Sequence, residues 1–347
     1  MINLYSTTVD SSGCGILRTY LPINFLNTLY ANDGKFKGFY THLLLGDLRL
    51  LAGMDIIRLQ KVISPQQVTY ARQLKEFKSK GVIKAGLIYD IDDDYLSIPD
   101  YHYAHTKFNV QECENALKTI MSNMNVVTAS TKYLLLKMQR LRENNLWGTN
   151  FWVIPNLIPK FLYQYENYIQ PQNQKPRIVW AGSNIHFNPK HLGDLGIIYD
   201  LVKNTQNEFE WIFVTGNLPE HFNGMNVKLI PWVKNLYDYP RVLRSLRADI
   251  GIAPLIDNEF NRCKSEIKLL EYSASKMITM SSNVEPYKVH SSFYFSGDWK
   301  IDRDTIIEIF NNKILREEKI NCQDKFLEKY WMEDNIVKVY GPLFNLS

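Results

Sequence analysis

Short apolar runs alternate with amphipathic stretches along most of the chain, and this rhythm limits the possible folds more than any other feature. "INLYSTTV", "HLLLG", "MDIIRLQKV", "IKAGLIYDI" and "NVVTAS" read as short buried strands. "RTYLPINFLNTLY", "SPQQVTYARQLKEFKSKG" and "STKYLLLKMQRLREN" read as helices. Pro22 fits the first of these only in its opening turn, where a missing N–H costs nothing. The other two open on a Ser or Thr able to cap them, and Gly81 is a natural stop. Apolar strands alternating with helices predict parallel sheets covered on both faces.

The rhythm breaks once. "FWVIPNLIPKFLYQYENYIQPQNQKPRIVWAG" carries Pro155, Pro159, Pro171 and Pro176 among polar residues, as a linker does. Alternation then resumes through "RIVWAGS", "EWIFVTGN", "VKLIPWV", "ADIGIAPL" and "MITMSS". The expected organisation is an α/β domain over 1–157, a second over 158–320, and a helical C-terminal stretch over 321–347. Doubly wound sheets bind ligands beyond their strand C-termini, so two in tandem present their crevices to a shared cleft.

Hydrophobic residues make up 45% of the 347 and charged residues 22%, which excludes a disordered chain. A net charge of +4 suits an anionic ligand but is too small to indicate nucleic-acid binding by itself. No transmembrane segment and no signal peptide are expected. Lys132, Lys137, Arg140 and Arg142 would allow peripheral membrane contact, although a sheet-covering helix explains the same segment. Cys14, Cys113, Cys263 and Cys322 are too far apart for a zinc cluster or a disulfide framework, so a cytoplasmic location is expected.

Three stretches carry candidate chemistry. In "IAPLIDNEFNRCKSEIKLLEYSASK" a strand and a polar loop precede a helix expected to start near Lys264, with Ser265 as its cap. Lys264, Lys268 and Glu271 fall on one face of that helix. They read either as a solvated salt-bridged face or as a nucleotide site. In a nucleotide site the lysines meet a diphosphate and Glu271 accepts from two ribose hydroxyls. In "IYDIDDDYLSIP" the carboxylates of Asp90, Asp92, Asp93 and Asp94 follow a buried strand, with Asp92 and Asp93 as the functional candidates. In "DSSGCGILRTYLP" the glycines Gly13 and Gly15 read as a tight turn. Arg18 occupies the third-glycine position of a dinucleotide fingerprint, which therefore fails, and is the candidate charge of that turn.

"NRCKSEIKLLEYSASKMITMSSNVEPY" resembles the nucleotide-sugar segment of GT-B-fold, family 4-like glycosyltransferases. "VVTASTKYL", "VIPNLI" and "IVWAGSNIHFNPKHL" resemble other family segments in the same order. The resemblance implies two Rossmann-like domains around a cleft and transfer with retention from a nucleoside diphosphate sugar, without a metal cofactor. It implies that Glu271 holds the ribose, that Lys264, Ser265 and Lys268 lie at the diphosphate, and that Gly182 and Ser183 approach the donor. Pro231 and Trp232 would lie by the nucleobase. Gly13, Gly15 and Arg18 would form the opposite wall, Asp92 and Asp93 the acceptor side, and the last helix would cross back to the first domain.

Many family members carry an acid eight positions before the ribose glutamate, where this chain has Cys263. The resemblance leaves two acceptors open. One is a hydroxymethylated pyrimidine in phage DNA, because the "GCG" turn also resembles that of phage DNA glucosyltransferases. The other is a cell-surface polysaccharide or lipid-linked glycan. A degenerate, non-catalytic nucleotide-sugar-binding protein is the remaining alternative.

Overall fold

The computed structural model describes residues 1–8, 13–61, 63–142, 149–163, 173–288 and 290–346. Asp10 to Ser12 of the glycine segment, Pro171 of the linker and the end of the "STKYLLLKMQRLREN" segment, with the Arg142 side chain, lie outside the described residues. Two six-stranded sheets hold the chain together, and every strand pair within them is parallel.

The first sheet comprises β1 (Ile2–Thr7), β2 (Phe36–Thr41), β3 (Ile56–Gln60), β4 (Gly86–Ile91), β5 (Val126–Ala129) and β6 (Asn150–Val153), in the order β2-β1-β3-β4-β5-β6. The second comprises β7 (Arg177–Ala181), β8 (Glu210–Val214), β9 (Val227–Ile230), β10 (Ile250–Ala253), β11 (Ile278–Ser281) and β12 (Phe293–Tyr294), in the order β12-β11-β10-β7-β8-β9. Strand order reverses between β1 and β3 in one sheet and between β7 and β10 in the other. Such switch points open a crevice at the strand C-termini.

Several expectations need correction. "HLLLG" is not a strand; Phe36–Thr41 is, because Phe36 and Gly38 turn inward while Lys37 and Phe39 face out. The sequence "NFWV", whose last three residues open the stretch read as linker, forms the edge strand β6, whose weak alternation conceals it. Gly13–Gly15 is helical rather than a turn. It runs through a π-helical stretch, Ile16–Tyr20, into the helix Leu21–Leu29. The wider π turn places Pro22 at the head of a fresh α-helical register, which accommodates its missing N–H. Ser64 caps Pro65–Ser79 through a capping box, and Gly81 ends that element at φ +74°.

The change expected at residue 321 falls inside the helix Lys313–Leu327, where Gln323 bonds to Thr279 and Met277 of the second domain. The crossing back begins later. Met332, Ile336, Tyr340 and Phe344, spaced by four, bury one face of the helix Met332–Phe344 in the first-domain core with Leu21, Leu26 and Phe36. Each such side chain contributes about 1.5–3 kcal/mol. The two crossings meet: Ile158 N donates to Tyr330 O at 3.0 Å, and Met332 N to Ile158 O at 2.9 Å.

Candidate functional site

The segments that follow β1 and β4 face those that follow β7 and β9 across a cavity of about 420 Å³. Gly13, Asp92, Asp93, Gly182, Ser183, Lys264, Ser265, Lys268 and Glu271 all line it. Gly15 and Arg18 are not among its lining residues.

The helix Ile267–Ala274 supplies Lys268 and Glu271. It lies close on β10 because Gly251 has no side chain; a Cβ there would come within 2.4 Å of the Tyr272 ring. Tyr272 in turn accepts the Ala181 N–H at 2.9 Å, which fixes the end of β7. A Cβ on Gly182 would meet Trp180 at 2.5 Å and Lys268 Nζ at 3.0 Å, so only glycine keeps that lysine in place. By contrast, a Cβ on Gly13 would find open space.

The helix begins at Ile267, with Glu266 at its N-cap position, so Ser265 is not the cap. Ser265 Oγ instead accepts from Asn156 Nδ2 at 2.8 Å, joining the linker to the helix entry.

Glu271 is nearly buried and accepts from Tyr163 OH at 3.3 Å and Tyr239 OH at 3.1 Å. Burial raises its pKa to about 7, against the opposing pull of Lys268 and the two hydroxyls. Burial also lowers Lys268 to about 8, opposed by Glu271. Lys268 Nζ donates to Ala181 O and lies 5.4 Å over the Trp180 ring. Lys264 Nζ lies 4.4 Å over the Phe260 ring. Neither lysine pairs with a carboxylate among the described residues. The solvated salt-bridge reading of this face therefore does not describe it. Two ammonium groups without carboxylate partners, beside a carboxylate held by two hydroxyls, suit a ligand carrying anionic groups and vicinal hydroxyls.

The acidic run divides by role. Asp90 is fully buried. It accepts from Arg18 Nε at 2.8 Å and Nη2 at 2.5 Å, from Arg58 Nη2 at 2.7 Å and from Thr128 Oγ1 at 2.5 Å. Burial opposes its ionisation, but the two guanidinium groups outweigh that and leave its pKa at about 2. Arg18 Nη1 also donates to Ile154 O and Asn156 Oδ1, both at 2.9 Å. Arg18 is thus a structural cation with 1% exposure, and its assignment as the charge of a cleft wall is corrected. Asp94 pairs with Lys137 at 2.6 Å and accepts from Leu96 N.

Asp92 and Asp93 stand at the cleft with Lys61 and Cys14, neither of which was a sequence candidate. Lys61 Nζ is 2.9 Å from Asp93 Oδ2 and 3.8 Å from both Asp92 Oδ1 and Cys14 Sγ. Burial resists charging Asp93, but Lys61 and then Lys264 hold it well below the usual carboxylate range. Burial pushes Asp92 upward. Cys14, Asp92 and Asp93 could offer three metal ligands within 4.8 Å of one another, yet the Lys61 ammonium already holds the cation position among them. The available signal for Lys61 is its place just after β3, at a switch point.

His186 lines the same cavity, with Nδ1 2.7 Å from Asp194 Oδ2. Burial lowers its pKa to about 4, so it is a neutral imidazole. Asp194 Oδ1 also accepts from Tyr101 OH at 3.0 Å, tying the two domains together. At the position of the family's first acid, Cys263 is buried within the first-domain core cluster, and its carbonyl accepts from Thr131 Oγ1 at 3.2 Å. Trp232 lines the cavity and is 41% exposed, its ring 6.2 Å from that of Tyr239.

A second cavity, of about 1180 Å³, adjoins the first and is lined by Lys61, Arg72, His102, Tyr103 and Lys107 among others. Both cavities share Cys14, Asp93, Ser183 and Ile185. No helix among the described residues is long and apolar enough to cross a membrane.

No protein-family model and no curated protein matches the sequence. Solved structures do. A sucrose-phosphate synthase from Thermosynechococcus elongatus superposes with a TM-score of 0.65 at 10% identity, over 99% of this chain and 98% of that one. An alpha-glucosyltransferase in complex with UDP-glucose and DNA containing an abasic site gives 0.64 at 10% identity, over 99% and 98%. TarM gives 0.55 at 13% identity, over 84% of this chain and 54% of its own. The chain therefore has the GT-B fold, with two Rossmann-like parallel sheets facing each other across a central cleft.

Proposed function

We propose that the protein is a glycosyltransferase that moves a sugar from a nucleoside diphosphate sugar to an acceptor hydroxyl. The observation that carries this reading is the pair of cavities meeting at Cys14, Asp93, Ser183 and Ile185. The smaller takes the donor, with ribose hydroxyls on Glu271 and diphosphate by Lys264 and Lys268. The larger takes the acceptor. The sugar lies at the junction.

The departing diphosphate gains charge in the transition state, where lysines held without carboxylate partners stabilise it most. Asp93 is a weak base because it is tied to Lys61. In this reading the departing diphosphate oxygen takes the acceptor proton. Proton transfer to it draws the acceptor to the face that the leaving group vacates, which gives retention. Gly13, which lines the smaller cavity with open space beside it, forms the first-domain wall. No metal enters the scheme, since lysines supply the positive charge.

The favoured acceptor is a hydroxymethylated pyrimidine in DNA. Supporting it, the alpha-glucosyltransferases in complex with DNA align over nearly all of both chains. In the larger cavity Tyr103 is 59% exposed with Lys107 Nζ 4.8 Å over its ring, which suits a base and a phosphate. The test is incubation with a panel of nucleoside diphosphate sugars and either hydroxymethylated DNA or a glycan mixture, read by mass spectrometry. A gain of one sugar on the DNA is expected. A gain on glycan alone moves the acceptor to polysaccharide, and no gain on anything contradicts transferase activity.

The site also predicts a bell-shaped pH dependence of UDP binding. The ribose contacts need the Glu271 carboxylate, so affinity falls as pH drops below about 7. The diphosphate needs charged Lys268, so affinity also falls above about 8. Calorimetry from pH 5.5 to 9.5 should place the optimum between these values, about fivefold above that at pH 6.

A further inference from the structure

Tyr163 lies on neither sheet. It ends the short helix Lys160–Tyr163, on the segment that carries the chain from β6 towards β7. Its hydroxyl nevertheless reaches Glu271 Oε1 at 3.3 Å, and its side chain is 3% exposed. The other end of that helix is held by the returning crossing. Glu333 accepts from Lys160 N at 2.7 Å and from Phe161 N at 3.0 Å, and Lys160 Nζ pairs with Asp334 at 3.0 Å. Glu333 and Asp334 open the helix Met332–Phe344, which packs in the first-domain core.

We propose that Tyr163 is a positioning residue that orients the Glu271 carboxylate for ribose and links its occupancy to the paired interdomain crossings. This rests on the donor site proposed above. Tyr239 also donates to Glu271, at 3.1 Å, but from the helix Tyr239–Ser245 of the second domain. The two tyrosines make similar hydrogen bonds to one carboxylate, so only their attachment distinguishes them. Ribose hydroxyls bound to Glu271 fix the carboxylate, the carboxylate fixes Tyr163, and Tyr163 fixes the segment that Glu333 holds from the far side. A hydrogen-bonded chain of this kind is coupling only if occupancy at one end changes the other, which is measurable.

The experiment is hydrogen–deuterium exchange of the full chain with and without saturating UDP, for the wild type, Tyr163→Phe and Tyr239→Phe. The amides of Ile158, Lys160 and Phe161 are the reporters because all three bond across to the returning crossing. UDP should slow their exchange by about tenfold in the wild type and in Tyr239→Phe, and by less than about twofold in Tyr163→Phe. UDP affinity should fall in both variants, since each removes one donor from Glu271. Equal protection in Tyr163→Phe and the wild type overturns the linkage, as does equal loss in the two variants or no protection in the wild type. If the wild type does not bind UDP at all, the donor-site reading fails and this inference fails with it.

Discussion

Asp90→Ala is expected to lower the free energy of unfolding by about 3–5 kcal/mol in urea denaturation. The carboxylate is the counter-charge of two buried guanidinium groups, Arg18 and Arg58, at 2.5 and 2.7 Å. Removing it leaves both positive charges, and the Thr128 hydroxyl, without their acceptor in a medium that solvates them poorly. Domains are stable by only about 5–15 kcal/mol, so the loss is a large share of the total. It also reaches beyond the first core, because Arg18 holds Ile154 O and Asn156 where the chain leaves the first sheet. Asp90 titrates lower when folded than when unfolded. Its contribution is therefore full above about pH 4 and is lost as pH falls towards 2. A change below about 1 kcal/mol would show that the cluster is balanced in another way.

Replacing Lys264 and Lys268 together by methionine is expected to weaken UDP binding by about 100-fold and uridine binding much less, uridine losing only the share of ionised Glu271 that Lys268 sustains. Both lysines line the smaller cavity without a carboxylate partner among the described residues, and Lys268 is held against Ala181 O and the Trp180 face. Two charge-assisted contacts to phosphate at about 1.5 kcal/mol each give that factor. Sugar transfer should suffer more than binding, because the contacts strengthen as the diphosphate leaves. Equal loss for UDP and uridine, by calorimetry, would move the lysines away from the diphosphate.

The sheets were legible because parallel strands buried on both faces leave apolar runs such as "IKAGLIYDI" and "RIVWAGS". The edge strands β2 and β6 were not, since they bury only part of one face, whereas the edge strand β9 was legible in "VKLIPWV". Lys268 and Glu271 were legible because helical spacing puts them on one face, and the structure turns that face to the cleft. Arg18 was misread because sequence does not reveal that Asp90, 72 residues on, meets it in the core. Lys61 was marked only by its place just after β3, while Tyr163, Tyr239 and Asn156 acquire their roles through tertiary contact that no local pattern marks.

The most direct test is a calorimetric titration of the wild type and Glu271→Gln with UDP at about pH 7.5, where the carboxylate is ionised. Glutamine keeps the shape and one acceptor oxygen but loses the charge. One UDP should bind per wild-type chain, and the variant should bind about 30-fold more weakly, the cost of making two ribose contacts without charge. No binding by a folded wild type, or equal affinity in the two proteins, would contradict a nucleotide site at this cavity.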